Sequence, residues 1–175
     1  MASPGAGNRV SQALPRAAVI VNLRPGRDDD VETLLAIQRA ASLAAFAHIY
    51  PPDRYQFPDD GIRDVWRDAL ADAGAEVYVA EADGRAVGSV SVAGEFLNAL
   101  YVLPEQWRGG VGSALHDLAL ERLRARGASV AKLWTLEGNA DGRRFYERRG
   151  WTLNGETRVV PFPPHPIDVG YERPL

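Results

Sequence analysis

A cluster of glycines between residues 109 and 112 is the strongest chemical signal in the sequence. The segment Pro104-Glu-Gln-Trp-Arg-Gly-Gly-Val-Gly-Ser113 separates a strand-like run from an amphipathic helical run. Glycine lets the backbone approach a ligand closely because it has no Cβ, and the first amides of a helix lack partners within the helix. Together with the helix dipole, these amides form an anion site suited to a phosphate or pyrophosphate. The alternative is a tight strand-to-helix turn that binds nothing.

Two common phosphate-binding motifs fit this turn poorly. A P-loop requires a lysine directly after its last glycine, and the single lysine of the chain is Lys132. A dinucleotide-binding fold has a Gly-x-Gly-x-x-Gly motif early in a strand–helix–strand unit. Here Gly110-Val-Gly112 is followed by Ser113, Ala114 and Leu115, and it comes after several strands. The turn therefore favours a different phosphate-containing ligand.

The hydrophobic pattern predicts the elements that must position this turn. Alternating or continuous apolar runs predict seven strands: Ala18–Leu23, Val77–Ala82, Ala86–Ala93, Phe96–Leu103, Val130–Leu136, Trp151–Val160 and Ile167–Arg173. Helical periodicity predicts four helices: from Asp28 toward Ala45, after Asp59-Asp60, from the glycine-rich turn to Gly127, and from Asn139 to Gly150. Such an order predicts an α/β protein of the α+β kind, with a mixed sheet of about seven strands and four helices on its faces. We expect one domain over residues 18–175, after a flexible leader at residues 1–17.

The composition narrows the classes of partner. The net charge of −3 shows no basic excess, which argues against nucleic acid as a partner. The chain has no cysteine, and its three histidines are far apart, so we expect no metal. No apolar segment is long enough for a signal peptide or a membrane span, and we expect a cytoplasmic protein without a membrane partner.

A second motif follows one strand later, and the two motifs together resemble the GNAT superfamily of N-acetyltransferases. The second motif is Asn139-Ala-Asp-Gly-Arg-Arg-Phe-Tyr-Glu-Arg-Arg-Gly-Trp151. The family's patterns are [QR]-x-x-G-x-[GA] and N-x-x-A-x-x-F-Y-x-x-x-G-[FW], which occur in this order. Two positions depart from them, because Trp107 replaces the Gln or Arg and Gly142 replaces the Ala. Gly142 would make the start of its helix less stable than alanine by up to about 1 kcal/mol.

The resemblance implies a GNAT-like fold that binds acetyl-CoA as a co-substrate. Backbone groups of the strand Leu100, Tyr101 and Val102 should pair with the pantetheine amides as an added strand would. Asn139 should hold the pantetheine arm, and Arg149 should reach a CoA phosphate. The pyrophosphate should lie on the amides of Arg108, Gly109, Gly110, Val111, Gly112 and Ser113.

The resemblance also implies where catalysis takes place. Tyr146 should lie near the thioester sulfur and donate a proton to the leaving thiolate, because a phenol of pKa about 10 can act as an acid there. The Val102 amide should polarise the thioester carbonyl. Glu95, just before the fourth strand, is a candidate base, although a solvated turn residue or water as the proton acceptor are the alternatives. His48 and Tyr50 are expected to line the pocket of the acceptor.

The sequence thus predicts an N-acetyltransferase that moves an acetyl group to a primary amine by direct transfer in a ternary complex. The acceptor is either a small-molecule amine or a peptide N-terminus. A non-catalytic acyl-CoA-binding regulatory domain of the same fold is the alternative, and a nucleotide-binding protein of unrelated chemistry is a weaker one. An exposed last strand could support a homodimer.

Overall fold

The computed structural model describes residues 21–175, and the predicted leader at residues 1–17 lies outside the described residues. The strands are β1 (Asn22–Pro25), β2 (Ala75–Ala82), β3 (Arg85–Ala93), β4 (Phe96–Val102), β5 (Val130–Leu136), β6 (Thr152–Val159) and β7 (Ile167–Pro174). The helices are α1 (Val31–Phe46), α2 (Asp59–Ala71), α3 (Val111–Ala125) and α4 (Ala140–Glu147). The predicted mixed sheet of seven strands with four helices is therefore confirmed.

All seven strands form one sheet in the order β1-β2-β3-β4-β5-β7-β6. Every neighbouring pair is antiparallel except β4 and β5, which are parallel. A parallel connection needs a crossover, and here α3 forms it. The glycine-rich turn therefore lies where the chain leaves β4 to begin this crossover.

Alternate residues of β4 enter two separate cores, one on each face of the sheet. Leu100 and Val102 pack in the larger core, whose fully buried members include Leu115 and Leu123 of α3. Ala99 and Tyr101 pack against a smaller core around Trp66 of α2. Because successive side chains of a strand point to opposite faces, α3 covers one face and α1 with α2 the other. We refer to them as the α3 face and the α1–α2 face.

The start of the sheet departs from the prediction. The first strand was expected at Ala18–Leu23 with a turn at Arg24-Pro25-Gly26, but β1 continues to Pro25, which pairs with Tyr78. Proline is tolerated there because β1 is an edge strand, so its missing N–H breaks no ladder of hydrogen bonds. Residues 18–20 of the predicted strand lie outside the part of the chain described.

The end of the sheet also corrects one expectation. The last strand of the chain was expected to be exposed, but β7 lies between β5 and β6 and is paired on both edges. The edge strand is β6, in which Leu153 and Val159 are exposed. No helix in the described residues is long and apolar enough to cross a membrane.

A buried histidine joins α3 to the segment after α4. His116 is 1% exposed, and its Nε2 accepts a hydrogen bond from Trp151 Nε1 at 3.0 Å. The other ring nitrogen, Nδ1, lies 3.0 Å from Asp117 Oδ1, so this arrangement requires a neutral ring protonated on Nδ1. The Phe145 ring meets the imidazole edge-on, with centroids 5.8 Å apart. This cluster fixes α4 beside the start of α3.

We expect the free energy of unfolding to depend on pH through His116. Burial lowers the pKa of His116 below its ordinary 6.5 and outweighs the opposing effect of Asp117. The unfolded chain then binds the proton more readily, so stability is constant above about pH 7 and falls as the pH drops through 6.5, by at most about 1.4 kcal/mol per pH unit. Urea denaturation between pH 5 and 8 measures this dependence. In His116→Gln the slope between pH 6 and 7 should vanish, because the carboxylates whose pKa values are lowered in the fold contribute only nearer pH 5. An unchanged slope between pH 6 and 7 in that variant would exclude His116 as its source.

Candidate functional site

The parallel strands β4 and β5 are joined at one end and separate toward the other. Their register contains one residue pair, Phe96 opposite Lys132. Beside it the Lys132 amide donates to the Glu95 carbonyl at 2.9 Å. The strands therefore leave a gap that opens toward the glycine-rich turn after β4, and we refer to it as the β4–β5 gap.

Backbone groups of β4 point into this gap. The Leu103 amide donates to the Val87 carbonyl of β3 at 2.9 Å. Since backbone groups alternate sides along a strand, those of Leu100 and Val102 point away from β3. Both residues lie beyond the last β4–β5 pair, so an extended ligand could pair with them. The sequence proposed both residues for this purpose; Tyr101, which it also named, instead pairs with Ser89 of β3.

Trp107 alters one of these positions. Its indole Nε1 donates to the Val102 carbonyl at 2.7 Å. The carbonyl is thus already bonded, whereas the Val102 amide has no partner from β5. The tryptophan that replaces the Gln or Arg of the family pattern therefore folds back on β4 and braces the strand end next to the turn.

The glycine-rich turn presents a row of backbone amides. Gly110 begins α3 with a φ of 94°, and Arg108 also has a left-handed φ of 63°. The first helical bond runs from the Ala114 amide to the Gly110 carbonyl, which leaves the amides of residues 111–113 without helical partners. The Gly109 amide differs, because it donates to the Gln106 carbonyl at 3.1 Å. Among the predicted cradle residues, Gly109 thus shapes the turn and Val111 to Ser113 can meet an anion.

A cation lies beside these amides. The Arg149 guanidinium donates to Ser113 Oγ and, at 3.2 Å, to the Phe145 carbonyl. It also stacks over the Phe145 ring, with Cζ 3.8 Å from the ring centroid. A guanidinium fixed at a helix N-terminus adds positive charge where the amides already favour an anion. The structure therefore brings Arg149 and the glycine-rich turn together, as the sequence proposed.

Asn139 has a structural role as well as a place near the gap. It is the N-cap of α4: its Oδ1 accepts from the Gly142 amide at 3.1 Å and its Nδ2 donates to Thr135 Oγ1 at 3.0 Å. A Cβ at Gly142 would lie 2.2 Å from Asn139 Nδ2. An alanine at position 142 would therefore require the Asn139 side chain to shift from the position that it has here.

Two tyrosines approach each other from opposite faces of the sheet. Tyr146 packs against the larger core on the α3 face, whereas Tyr101 packs at the smaller core with its ring 6.5 Å from Trp66. Burial raises the pKa of the Tyr146 hydroxyl, and the Tyr101 phenol raises it further. No hydrogen bond to the Tyr146 hydroxyl comes from the described residues. Tyr146 therefore carries a protonated, unengaged hydroxyl close to Tyr101.

The structure does not bring Glu95 to this hydroxyl. Glu95 precedes β4 at the closed end of the gap, and its Oε2 pairs with Lys132 Nζ at 3.0 Å. Seven residues of β4 separate it from the glycine-rich turn, which is roughly 20 Å of strand. The side chain is half exposed, as expected of the solvated turn residue that was the alternative.

His48 and Tyr50 lie together on the opposite side of the gap from α3. The His48 Nε2 is 3.0 Å from the Gly138 carbonyl at the end of β5. Tyr50 packs against Tyr55 and Phe162, with ring centroids 6.2 and 6.5 Å apart. These aromatic residues form a wall between the segment after α1 and the loop from β6 to β7.

One residue in this region was missed by the sequence analysis. Asp168 of β7 is 9% exposed, and its charge adds to the effect of burial in raising the pKa values of both Tyr50 and Tyr101. The sequence signal was a carboxylate between two apolar residues, Ile167 and Val169, at the start of this strand. In contrast, no group of three or more metal-ligating side chains occurs in residues 21–175.

Comparison with known proteins places this geometry in a family context. The model of the acetyltransferase (GNAT) family matches residues 42–151. A mycothiol acetyltransferase from Streptomyces griseus is 34% identical over 150 residues, which cover 81% of this chain and 45% of that protein. The chain thus spans less than half the length of this curated relative.

Solved structures show the same fold. A GCN5-related N-acetyltransferase from Rhodopseudomonas palustris has a TM-score of 0.74 at 21% identity, covering 94% of this chain and all of that one. The PaiA N-acetyltransferase from Thermoplasma acidophilum, in complex with coenzyme A, has a TM-score of 0.71 at 19% identity, with 89% and 99% covered. At these identities the likeness is evidence for the fold alone.

We expect Arg149 to contribute to binding of coenzyme A, the ligand that the resemblance implies. Arg149→Met keeps an unbranched stem over Phe145 but removes the charge, so affinity for coenzyme A should fall about tenfold. Arg148→Met is the matched control, since Arg148 is exposed on the same turn and should leave affinity unchanged. Calorimetric titration of both variants measures the difference. Equal affinities in the two variants would contradict a phosphate contact by Arg149.

Proposed function

Because the chain belongs to the acetyltransferase (GNAT) family, we propose that it transfers an acetyl group from acetyl-CoA to a primary amine by direct attack in a ternary complex. The observation that carries this proposal is the β4–β5 gap, which leads from the amides of the glycine-rich turn toward the unengaged hydroxyl of Tyr146. A pantetheine arm is long and extended, and it needs both a phosphate site and a strand edge to pair with. The gap provides the strand edge, and the phosphate site lies at its open end.

In the proposed complex the anionic half of the cofactor lies at α3. The amides of Val111, Gly112 and Ser113 and the Arg149 guanidinium bind the pyrophosphate. Leu100 contributes both of its backbone groups to the pantetheine, whereas Val102 contributes only its amide, because Trp107 already donates to its carbonyl. The thioester then lies where the Val102 amide can donate to its carbonyl oxygen.

The reaction then follows the ordinary course of acyl transfer. The neutral amine attacks the thioester carbon and forms a tetrahedral intermediate. Its oxyanion accepts a hydrogen bond from the Val102 amide. The C–S bond breaks, Tyr146 donates its proton to the departing thiolate, and the amine loses a proton to water. Burial raises the pKa of Tyr146 and so makes it a weaker acid than a free phenol, which means that it donates only as negative charge develops on sulfur. Water then reprotonates the phenolate and restores the hydroxyl.

Replacing Ser113 separates cofactor binding from folding. Ser113→Glu places a carboxylate in the first turn of α3, which favours the helix by a few tenths of a kcal/mol but repels a pyrophosphate. We expect a thermal midpoint at or above that of the wild type, and affinity for acetyl-CoA at least about tenfold weaker. Ser113→Gln, which has the size of glutamate without its charge, is the control and should lose less affinity than Ser113→Glu. A thermal-shift titration with acetyl-CoA, coenzyme A, ATP and NAD reads both properties.

The same titration decides among the alternatives. Preference for ATP or NAD would identify a nucleotide-binding protein of other chemistry. If no compound raises the midpoint of the folded wild type, the acetyltransferase proposal fails. Binding of acetyl-CoA without release of thiol in the presence of any amine would instead indicate a non-catalytic binding domain.

Removing the Tyr146 hydroxyl tests the chemical step. In Tyr146→Phe we expect kcat to fall about a hundredfold, with the affinity for acetyl-CoA unchanged, because the hydroxyl acts only as the thiolate forms. Release of coenzyme A can be followed with a thiol reagent, since the chain itself has no cysteine. Suitable amines are spermidine, an alanyl peptide and 2-phenylethylamine.

Tyr78→Phe is the control for this substitution, because that hydroxyl bonds Glu76 on β2. It should leave kcat unaltered. A Tyr146→Phe enzyme with wild-type kcat would remove Tyr146 from the mechanism while leaving acetyl transfer itself intact.

A further inference from the structure

On the α1–α2 face, polar side chains of β4 and β7 flank the open end of the β4–β5 gap. Ile167 and Val169 of β7 pack at the core on the α3 face, so Asp168 between them points to the opposite face. Asp168 is opposite Leu136, the last residue of β5. Tyr101, near the end of β4, points to the same face. Asp168 and Tyr101 therefore stand on the two sides of the open end of the gap.

Asp168 is a buried carboxylate with an incomplete set of hydrogen bonds. Arg158, its cross-strand partner on β6, contacts a single carboxylate oxygen: Nε lies 3.0 Å and Nη2 2.9 Å from Oδ2. Within residues 21–175 nothing donates to Oδ1. Ser89 Oγ is the only side-chain N or O atom in residues 21–175 that is both sealed from solvent and without a hydrogen bond, so Oδ1 is accessible to solvent. A ligand that carries a donor can therefore reach this oxygen.

The partner of this carboxylate is far more exposed to solvent than the carboxylate itself. Only 12% of the Asp168 side chain is exposed, against 55% of that of Arg158. The Arg158 guanidinium lies over the Trp134 ring, with Cζ 4.5 Å from the centroid. Arg158 thus approaches from the solvent side, and the Oδ1 side of the carboxylate remains for a second cation.

The groups around Oδ1 suit an amine with an apolar body. Burial, and after it the charge of Asp168, raises the pKa of Tyr101 to about 12 and also raises that of Tyr50. Both phenols are therefore neutral, and neither donates to Asp168. On the same face, a groove of about 370 Å³ begins at Tyr101 and runs between α2 and the sheet, lined by Trp66 and also by carboxylates of α2 and its C-terminus. Asp168 and Tyr50 lie outside this lining, so an acceptor held at Asp168 would reach the groove past Tyr101.

We propose that Asp168 is the specificity-determining residue of the acceptor site, whose Oδ1 binds the ammonium group of a cationic, apolar primary amine between Tyr50 and Tyr101. This inference rests on the proposed function, because it names the group that holds the acceptor beside the thioester. Asp168 positions the amine and attracts it in its charged form; the proton is lost to water before attack. Acceptors with a hydroxyl in place of the amine lack the charge that Asp168 compensates.

A binding experiment tests this assignment without requiring turnover. The probe is 2-phenylethylamine, and the matched neutral compound is 2-phenylethanol. Both are titrated into the wild type with coenzyme A present and absent, and binding is followed by protein-detected NMR. We expect saturable binding of the amine in the millimolar range and binding of the alcohol at least about tenfold weaker.

Two variants distinguish a ligand site from an ion pair that only braces β6 against β7. Asp168→Asn should weaken binding of the amine about tenfold or more, whereas Arg158→Gln should leave it unchanged or make it tighter, since Arg158 competes for the carboxylate. Glu156→Gln, an exposed carboxylate of β6, is the charge control. If the ion pair only braced β6 against β7, Asp168→Asn and Arg158→Gln would lower the stability equally, and neither would change the affinity for the amine.

Each result decides the inference. Equal binding of amine and alcohol to the wild type, or no saturable binding of the amine up to 20 mM, would overturn it even if Asp168→Asn failed to fold. Equal affinities of the wild type and a folded Asp168→Asn would also overturn it. Failure of the proposed function would appear separately, as the absence of any response to coenzyme A.

Discussion

The site depends on the early end of the pairing between β4 and β5. In a continuous sheet the backbone groups of Leu100 and Val102 would be hydrogen-bonded to a neighbouring strand. Here the register stops at Phe96 and Lys132, and the sheet continues on the other side of the gap through β5, β7 and β6. The two halves are thus held together by one residue pair and by the helices, and an extended ligand could complete the pairing between them. Such an open edge is tolerated because it lies inside the fold, where another chain cannot add to it.

The helices must keep the gap open, and their packing shows how. α3 begins at the open end with a left-handed glycine, and α4 packs beside that beginning through Phe145. The buried bond between His116 and Trp151 fixes the segment after α4 to the middle of α3. Arg149 leaves this segment to reach Ser113, so the cation at the turn depends on the same contacts. The anion site is therefore rigid because three separate stretches of chain define it.

Local patterns predicted the parts of the structure that local physics decides. The predicted strands Val77–Ala82 and Ala86–Ala93 correspond to β2 and β3, and the Asp83-Gly84 turn between them has both residues at positive φ, as an Asp-Gly hairpin requires. The glycine-rich turn and its helix were likewise readable, since glycine spacing and apolar periodicity act within a few residues. Pro25 was misread as part of a turn, because only the sheet order shows that β1 is an edge strand. Glu95 was proposed as a base from its place before β4, and the ion pair with Lys132 depends on a strand distant in the sequence.

Asp168 illustrates the same limit and suggests why the two faces of the gap differ. From the sequence it is one carboxylate in a strand, and its meaning arises only when β7 is inserted between β5 and β6. The α3 face of the gap offers helix amides and Arg149, which attract an anion, whereas the α1–α2 face offers Asp168 and two neutral phenols, which attract a cation. The opposite potentials of the two faces attract an anionic ligand and a cationic ligand to different sides of the gap. In the proposed reaction this separation lets an anionic cofactor and a cationic amine meet only where the strands part, beside Tyr146.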